Sequence, residues 1–460
     1  MESSKEYIQQ VIDKVKAKHP EKEEFNQAVT DVLTSLEKYL DQHPEVQDHN
    51  LLQLLVEPER VIKFRVPWQD DQGNWRVNEG LRVQFNSAIG PYKGGLRFDP
   101  SVNESVIRFL AFEQIFKNSL TNLPIGGGKG GSDFNPKGKS DNEIMRFCQS
   151  FVTELQKYIG PDYDVPAGDV GVSKREISYM YGQYKRLREI TPGVYTGKPL
   201  TFGGSVGRTE ATGYGLVYFV DDLLKDREDS LEGKRIVVSG SGNVAGHAIK
   251  KAQDFGGLVL ACSDRGGYLY DPDGIDVDQV IAIKSNPNNT LAEYKRKGGQ
   301  AKYVQGESVW DLDINYDIAL PCATQNEISK SQAKNIARSG VFLLAEGANM
   351  PVVKDGLEVL LDHDIIVCPG KAANAGGVAV SALEMSQNSQ RLSWTFDQVD
   401  QNLQAIMQDI YQACSQAAKD YGDDKNLIMG ANIAGADKVF QAMLAQGLAL
   451  SLIHIWRCRR

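Results

Sequence analysis

RIVVSGSGNVAG, residues 235–246, is a short β-branched run that breaks into spaced glycines and then turns helical. Gly240, Gly242 and Ala245 make a G-x-G-x-x-A pattern in the strand–turn–helix setting of a dinucleotide fingerprint. Gly240 permits a tight turn, Gly242 lets a pyrophosphate approach the backbone, and Ala245 lets helix pack closely on strand. Asn243 and Val244 open the helix, whose first amides point at the phosphates. The next apolar run, GLVLACSD, ends in Asp264, 24 positions after Gly240. That is the place of a ribose-binding carboxylate. Asp264 would accept a 2′-hydroxyl and repel a 2′-phosphate. Arg265, helped by Lys284, would pair with the phosphate instead. NADP is the expected cofactor, with NAD the alternative.

Outward from this stretch, GLVLACSD, YDIALPCA, GVFLLAEGAN and DIIVCPG are further short apolar runs, most of them separated by helical or loop sequence. The pattern predicts a parallel sheet covered on both faces. The expected fold is therefore α/β. An N-terminal α/β substrate-binding and oligomerisation domain spans residues 1–203. A doubly wound, Rossmann-type domain spans 204–374, and helices over 375–449 return to the first domain. In the N-terminal part, Phe25, Val29, Val32, Leu36 and Leu40 recur at helical spacing. RVIKFRVPW and GLRVQFNS read as strands, and SVIRFLAFEQIFKNSL as a helix. The last stretch, SLIHIWRCRR, has no periodicity, so residues 450–460 read as a non-native tail.

Composition excludes several classes. The 460 residues are 41% hydrophobic and 24% charged, with net charge −9. No basic footprint for nucleic acid is present, and no apolar run reaches the roughly 18 residues of a membrane span. The six cysteines are scattered without a CxxC pair, which points away from a metal site and a disulfide framework and toward a reducing cytoplasm.

The second informative stretch is LPIGGGKGGSDFNP, residues 123–136, where five glycines flank Lys129. A Walker loop needs a Ser or Thr after its lysine; Gly130 stands there instead, and the preceding sequence is helical. The alternative is that the glycines form a loop which clears space for substrate and cofactor against Lys129. GPYKGGLRF puts Lys93 in another glycine-flanked loop, and FEQIFKNSL puts Lys117 on a helix, so two more lysines lie in glycine-rich or apolar sequence. Together the three would hold a dianionic small molecule. Burial and mutual repulsion would depress at least one pKa and make a base. Asp169, in DVPAGDVGVSKREI, would relay protons; alone it would read as a helix cap.

PIGGGKGGSDFNP, GPYKGGLRF, PAGDVGV, GRTEATGYG, EGANMP and KAANAGGVAVSALEMSQNSQRLSW together resemble the hexameric bacterial glutamate dehydrogenases of the Glu/Leu/Phe/Val dehydrogenase family. The resemblance runs in order to about residue 449. It implies that Lys93 and Ser381 hold the side-chain carboxylate of glutamate. It gives Lys117 and Gln114 the α-carboxylate, Lys129 catalysis, and Asp169 proton transfer. Thr212 and Asn243 would contact the cofactor, with Asn349 and Asn374 around the nicotinamide and substrate. The implied reaction is reversible oxidative deamination of glutamate to 2-oxoglutarate and ammonia. Neutral Lys129 activates water in it, and a cleft closes as substrate and cofactor meet. A homohexamer is implied, with no nucleic-acid or membrane partner. The rivals are an NAD-dependent catabolic enzyme, a dehydrogenase of leucine, valine or phenylalanine, and a catalytically silent dinucleotide-binding protein. A leucine-type side-chain pocket should be apolar, because an unpaired buried ammonium is costly.

Overall fold

In the computed structural model, which describes residues 3–286, 289–295 and 299–447, five strands form one sheet. They are β1 (Arg60–Gln69), β2 (Trp75–Asn86), β3 (Tyr92–Phe98), β4 (Gly126–Ser132) and β5 (Asp164–Gly168). Their order is β1-β2-β4-β3-β5. β1, β2 and β4 pair antiparallel, whereas β3 pairs parallel with both β4 and β5. Strands and helices meet in an aromatic core. Trp68, Phe98, Phe134, Phe147 and Phe151 pack together, with Phe134 and Phe147 stacked at 3.8 Å. The Asp141–Leu155 and Lys174–Leu187 helices over this core start at Ser140 and Ser173, each closing a capping box with a glutamate three residues on. The Glu104–Leu120 helix packs on β4, where Gly127 leaves room for Ile115.

β3 and β4 are the two stretches expected as glycine loops, and both are strands. Glycine is depleted from strands because it has no side chain to pack and loses more entropy. Here close approach of neighbouring backbone requires it. A Cβ at Gly131 would sit 2.2 Å from the Arg97 carbonyl oxygen, and one at Gly94 only 1.6 Å from that of Gly128.

Seven strands form the second sheet: β6 (Arg235–Ser239), β7 (Leu258–Asp264), β8 (Gly267–Tyr270), β9 (Lys302–Gln305), β10 (Ile318–Pro321), β11 (Leu343–Ala345) and β12 (Ile366–Cys368). The order is β12-β11-β10-β6-β7-β8-β9. The five runs read from sequence form the parallel part. β8 and β9 extend it antiparallel, so the sheet is mixed. The chain leaves β6 toward β7 and later returns to β10 on the other side. This makes the β6/β10 boundary the topological switch point, where doubly wound sheets bind ligands.

The chain divides into two compact units. Among the described residues, one holds those up to Val206, Ser381–Thr395 and those from Asn432 on; the other holds those within Gly207–Val380 and Phe396–Ala431. The C-terminal segment expected as one piece over 375–449 is thus divided, part returning to the first unit and part staying with the second. The tail expected at 450–460 lies outside the described residues. No described helix is long and apolar enough to cross a membrane.

Candidate active site

Lys129 projects from β4 and is only 5% exposed. Its Nζ lies 3.0 Å from Oδ2 of Asp169, which directly follows β5. The same oxygen accepts a hydrogen bond from Arg97 Nε on β3, also at 3.0 Å. Gly95 makes this meeting possible. A Cβ there would stand 2.8 Å from the Asp169 Cβ and 3.4 Å from Lys129 Nζ. Asp169 is not a helix cap; Ser173 caps the following helix.

Electrostatics at this cluster follow from burial and two cations on one carboxylate. Burial pushes Lys129 below the ordinary lysine range, Asp169 pulls against it, and Arg97 and Arg82 add to the lowering. Burial would raise Asp169, but Lys129 and Arg97 outweigh it and hold the carboxyl down at about 2. The pair therefore offers an ionised carboxylate beside an amine that gives up its proton more readily than an ordinary lysine.

The glycines around Lys129 do not clear room for a ligand, contrary to the expectation from sequence. Arg82, on β2, bonds the Gly94 carbonyl oxygen on β3 and forms a fully buried ion pair with Asp164 on β5. To do so its side chain crosses β4. A Cβ at Gly130 would lie 3.0 Å from Arg82 Cδ, and one at Gly128 3.6 Å from Nη2. Protein, not substrate, occupies the space those glycines leave.

Lys93 precedes Gly95 and Arg97 on β3 at alternate positions, is 1% exposed, and donates to Thr196 Oγ1 at 2.8 Å. Gln114, on the Glu104–Leu120 helix, bonds Asn118 and places its side chain near Gly94; Lys117 follows one turn later, half-buried. Ser381 is buried one helical turn before Glu384. Thr196 and Arg97 are functional candidates that the sequence reading missed. Arg97 had a signal, since Lys93, Gly95 and Arg97 share the period of a strand face.

In the second unit, Gly240 adopts φ +83°, and its amide donates to Ser263 Oγ at 2.8 Å. Gly242 is exposed, and a Cβ there would meet no protein atom within 4 Å. It precedes the Asn243–Asp254 helix, whose N-terminus no side chain caps. Open space in front of uncapped amides fits a pyrophosphate. Ala245 is buried, as close helix–strand packing requires. Asn243 Nδ2 donates to the Thr209 carbonyl, and the half-buried Val244 follows it in the first turn. Thr212 stands at Gly377, where a Cβ would reach its Oγ1 at 2.5 Å. Asn374, buried, donates to Asn349 Oδ1 at 3.0 Å.

Asp264 is where the structure departs from a free sugar ligand. Oδ1 accepts from the Gly266 amide (2.9 Å) and the Tyr303 hydroxyl (3.0 Å). Oδ2 accepts from the Leu291 amide at 2.8 Å, and Lys284 Nζ lies 3.7 Å away. Leu291 and Tyr303, 27 and 39 residues downstream, take up the carboxylate. Arg265 is exposed and makes no ion pair with any described residue.

With this geometry in place, comparison with known proteins is decisive. The family model described as "Glu/Leu/Phe/Val dehydrogenase, dimerisation domain" matches residues 58–186, and "Glutamate/Leucine/Phenylalanine/Valine dehydrogenase" matches 203–447. The chain belongs to the Glu/Leu/Phe/Val dehydrogenase family. Among members of this family, the NAD(P)-specific glutamate dehydrogenase of Xylanibacter ruminicola is 53% identical over 95% of this chain and 99% of its own. The NADP-specific glutamate dehydrogenase of Haemophilus influenzae is 52% identical over 92% and 95%. The crystal structure of Plasmodium falciparum glutamate dehydrogenase superimposes with a TM-score of 0.93 at 48% identity, over 96% of this chain and 95% of that one.

Proposed function

We infer that this dehydrogenase deaminates L-glutamate oxidatively and reversibly, giving 2-oxoglutarate and ammonia, with NADP favoured and NAD the alternative. The observation that carries the reading is the buried Lys129–Asp169 pair on the same sheet as a buried Lys93. Lys93 donates to the Thr196 hydroxyl, and a substrate side-chain carboxylate would form a charge-assisted bond with the same buried ammonium. An apolar side chain would not, which favours glutamate over leucine.

The dinucleotide, when bound, accepts hydride from the substrate Cα. In the roles we assign, the Asn243–Asp254 helix N-terminus and Gly240–Val244 hold the pyrophosphate, with Thr212 and Asn349 contacting the rest. Asp264, within ion-pair reach of Lys284, shapes the loop, and Arg265 binds a 2′-phosphate. Lys117 and Gln114 hold the α-carboxylate, while Lys93 and Ser381 hold the distal one, with Asn374 on the substrate. Lys129, with its proton off, takes a proton from the water that attacks the substrate iminium carbon. Asp169 passes protons to and from the amino nitrogen, and Arg97 keeps it ionised.

We further propose a homohexamer in a reducing compartment such as the cytoplasm. Support comes from the dimerisation domain matched over 58–186, from Trp75 and Val77, 70% and 63% exposed on β2, and from five described cysteines that are all free thiols. Light scattering should return six times the chain mass. Function is tested by oxidation of glutamate against leucine with each dinucleotide at equal concentration. Glutamate with NADP should be fastest; faster turnover of leucine would overturn the assignment.

A further inference from the structure

Lys198 and Glu384 form an ion pair at 2.9 Å with side chains 0% and 1% exposed, and neither has been given a role above. Burying two charges is expensive, and hydrophobic replacements of similar size are often neutral or better for stability. Something other than stability is a reason to keep such a pair.

Its bonding pattern shows what it organises. Glu384 Oε2 accepts from the Gly197 amide at 2.9 Å, and Oε1 from the Lys198 amide at 3.4 Å. Lys198 Nζ also donates to the Tyr195 carbonyl oxygen. Segment 195–198 is thereby tied to the Gly376–Gln390 helix at a single carboxylate. The tie continues along the same helix. Gln387 donates to Ser205 Oγ at 2.9 Å, and Asn388 to the Gly203 carbonyl at 3.0 Å. Ser381, Glu384 and Asn388 follow helical spacing, so they line one stripe. Thr196, which receives Lys93, adjoins the tied residue Gly197; Ser381 sits one turn before Glu384.

We propose that Glu384, paired with Lys198, is a positioning residue for substrate specificity: it holds Thr196 and Ser381 in register at the Lys93 subsite that takes the distal carboxylate. The inference rests on the glutamate reading above. It assigns Glu384 no contact with substrate.

The test compares glutamate with 2-aminopentanoate, which has the same α-carbon chemistry but no distal carboxylate. Glu384→Gln leaves Lys198 buried without a countercharge and risks the fold. Lys198→Met/Glu384→Leu removes both charges at similar volume. Glu384→Asp keeps the charge but draws the carboxylate back. For the folded double variant, KM for glutamate should rise roughly tenfold or more, with kcat within about threefold. Its kcat/KM for 2-aminopentanoate should stay level, and Glu384→Asp should show the same split in smaller measure. An unchanged glutamate KM in either variant, or equal losses on both substrates, overturns the proposal. A wild-type chain that fails to oxidise glutamate would sink the underlying reading instead, before any variant is compared.

Discussion

Two glycine-rich stretches frame the chemistry proposed for this molecule, and their glycines do opposite things. At 240–246 they open the surface: Gly240 takes a positive φ, and Gly242 faces space that no protein atom fills. In β4 they close it. Added Cβ atoms at Gly127, Gly130 and Gly131 would strike Ile115, the Leu81 carbonyl and the Arg97 carbonyl at 2.2–2.7 Å. One stretch leaves room for a ligand. The other lets strands, a helix and the Arg82 side chain approach until Lys129 and Asp169 are held buried. Glycine content alone therefore says nothing about which side of the backbone the space belongs to.

The contrast can be broken by adding single methyl groups. Gly131→Ala should be the most damaging, costing roughly 3 kcal/mol or more through a clash with backbone, read as a fall in Tm or loss of folded protein. Gly95→Ala should fold but displace Asp169 from Lys129; a misplacement of about 1 Å costs on the order of a hundredfold in kcat. Gly242→Ala should leave Tm unchanged and weaken dinucleotide binding, by roughly tenfold for every hydrogen bond between a backbone amide and phosphate that the methyl group prevents, as read by fluorescence titration. If Gly242→Ala instead destabilised the fold and Gly131→Ala did not, the two stretches would have been assigned the wrong way round. The smallest effect belongs to Arg265→Ala. It should weaken NADP several-fold to about tenfold and leave NAD nearly untouched, since only NADP offers a 2′-phosphate to an exposed guanidinium.

Legibility in the sequence divides along the same line. β6, β7, β10, β11 and β12 could be read because each is a continuous apolar run between helices or loops. β8 and β9 could not, being four residues each with no residue of β9 buried. β4 was unreadable as a strand because six of its seven residues are glycine or serine, and its partners at β2 and β3 impose the conformation. In the site, residue identities were legible through motifs, whereas their partners were not. Lys129 and Asp169 are 40 positions apart and meet only through the β4-β3-β5 order. Asp264 stands at the expected strand end, yet Leu291 and Tyr303, which consume its oxygens, give no local sign of doing so. Lys93, Gly95 and Arg97 were the exception, since a strand reading of GPYKGGLRF would have put all three on one face.

The central claim is that Lys129, its pKa lowered by burial and by its Arg97 and Arg82 neighbours against the pull of Asp169, serves as the base while the dinucleotide is held elsewhere on the chain. Turnover of glutamate by Lys129→Ala, measured beside NADP binding by the same protein, tests it most directly. Turnover should fall by roughly 10²–10⁴ with binding of NADP unchanged. Turnover at the wild-type rate would contradict the account.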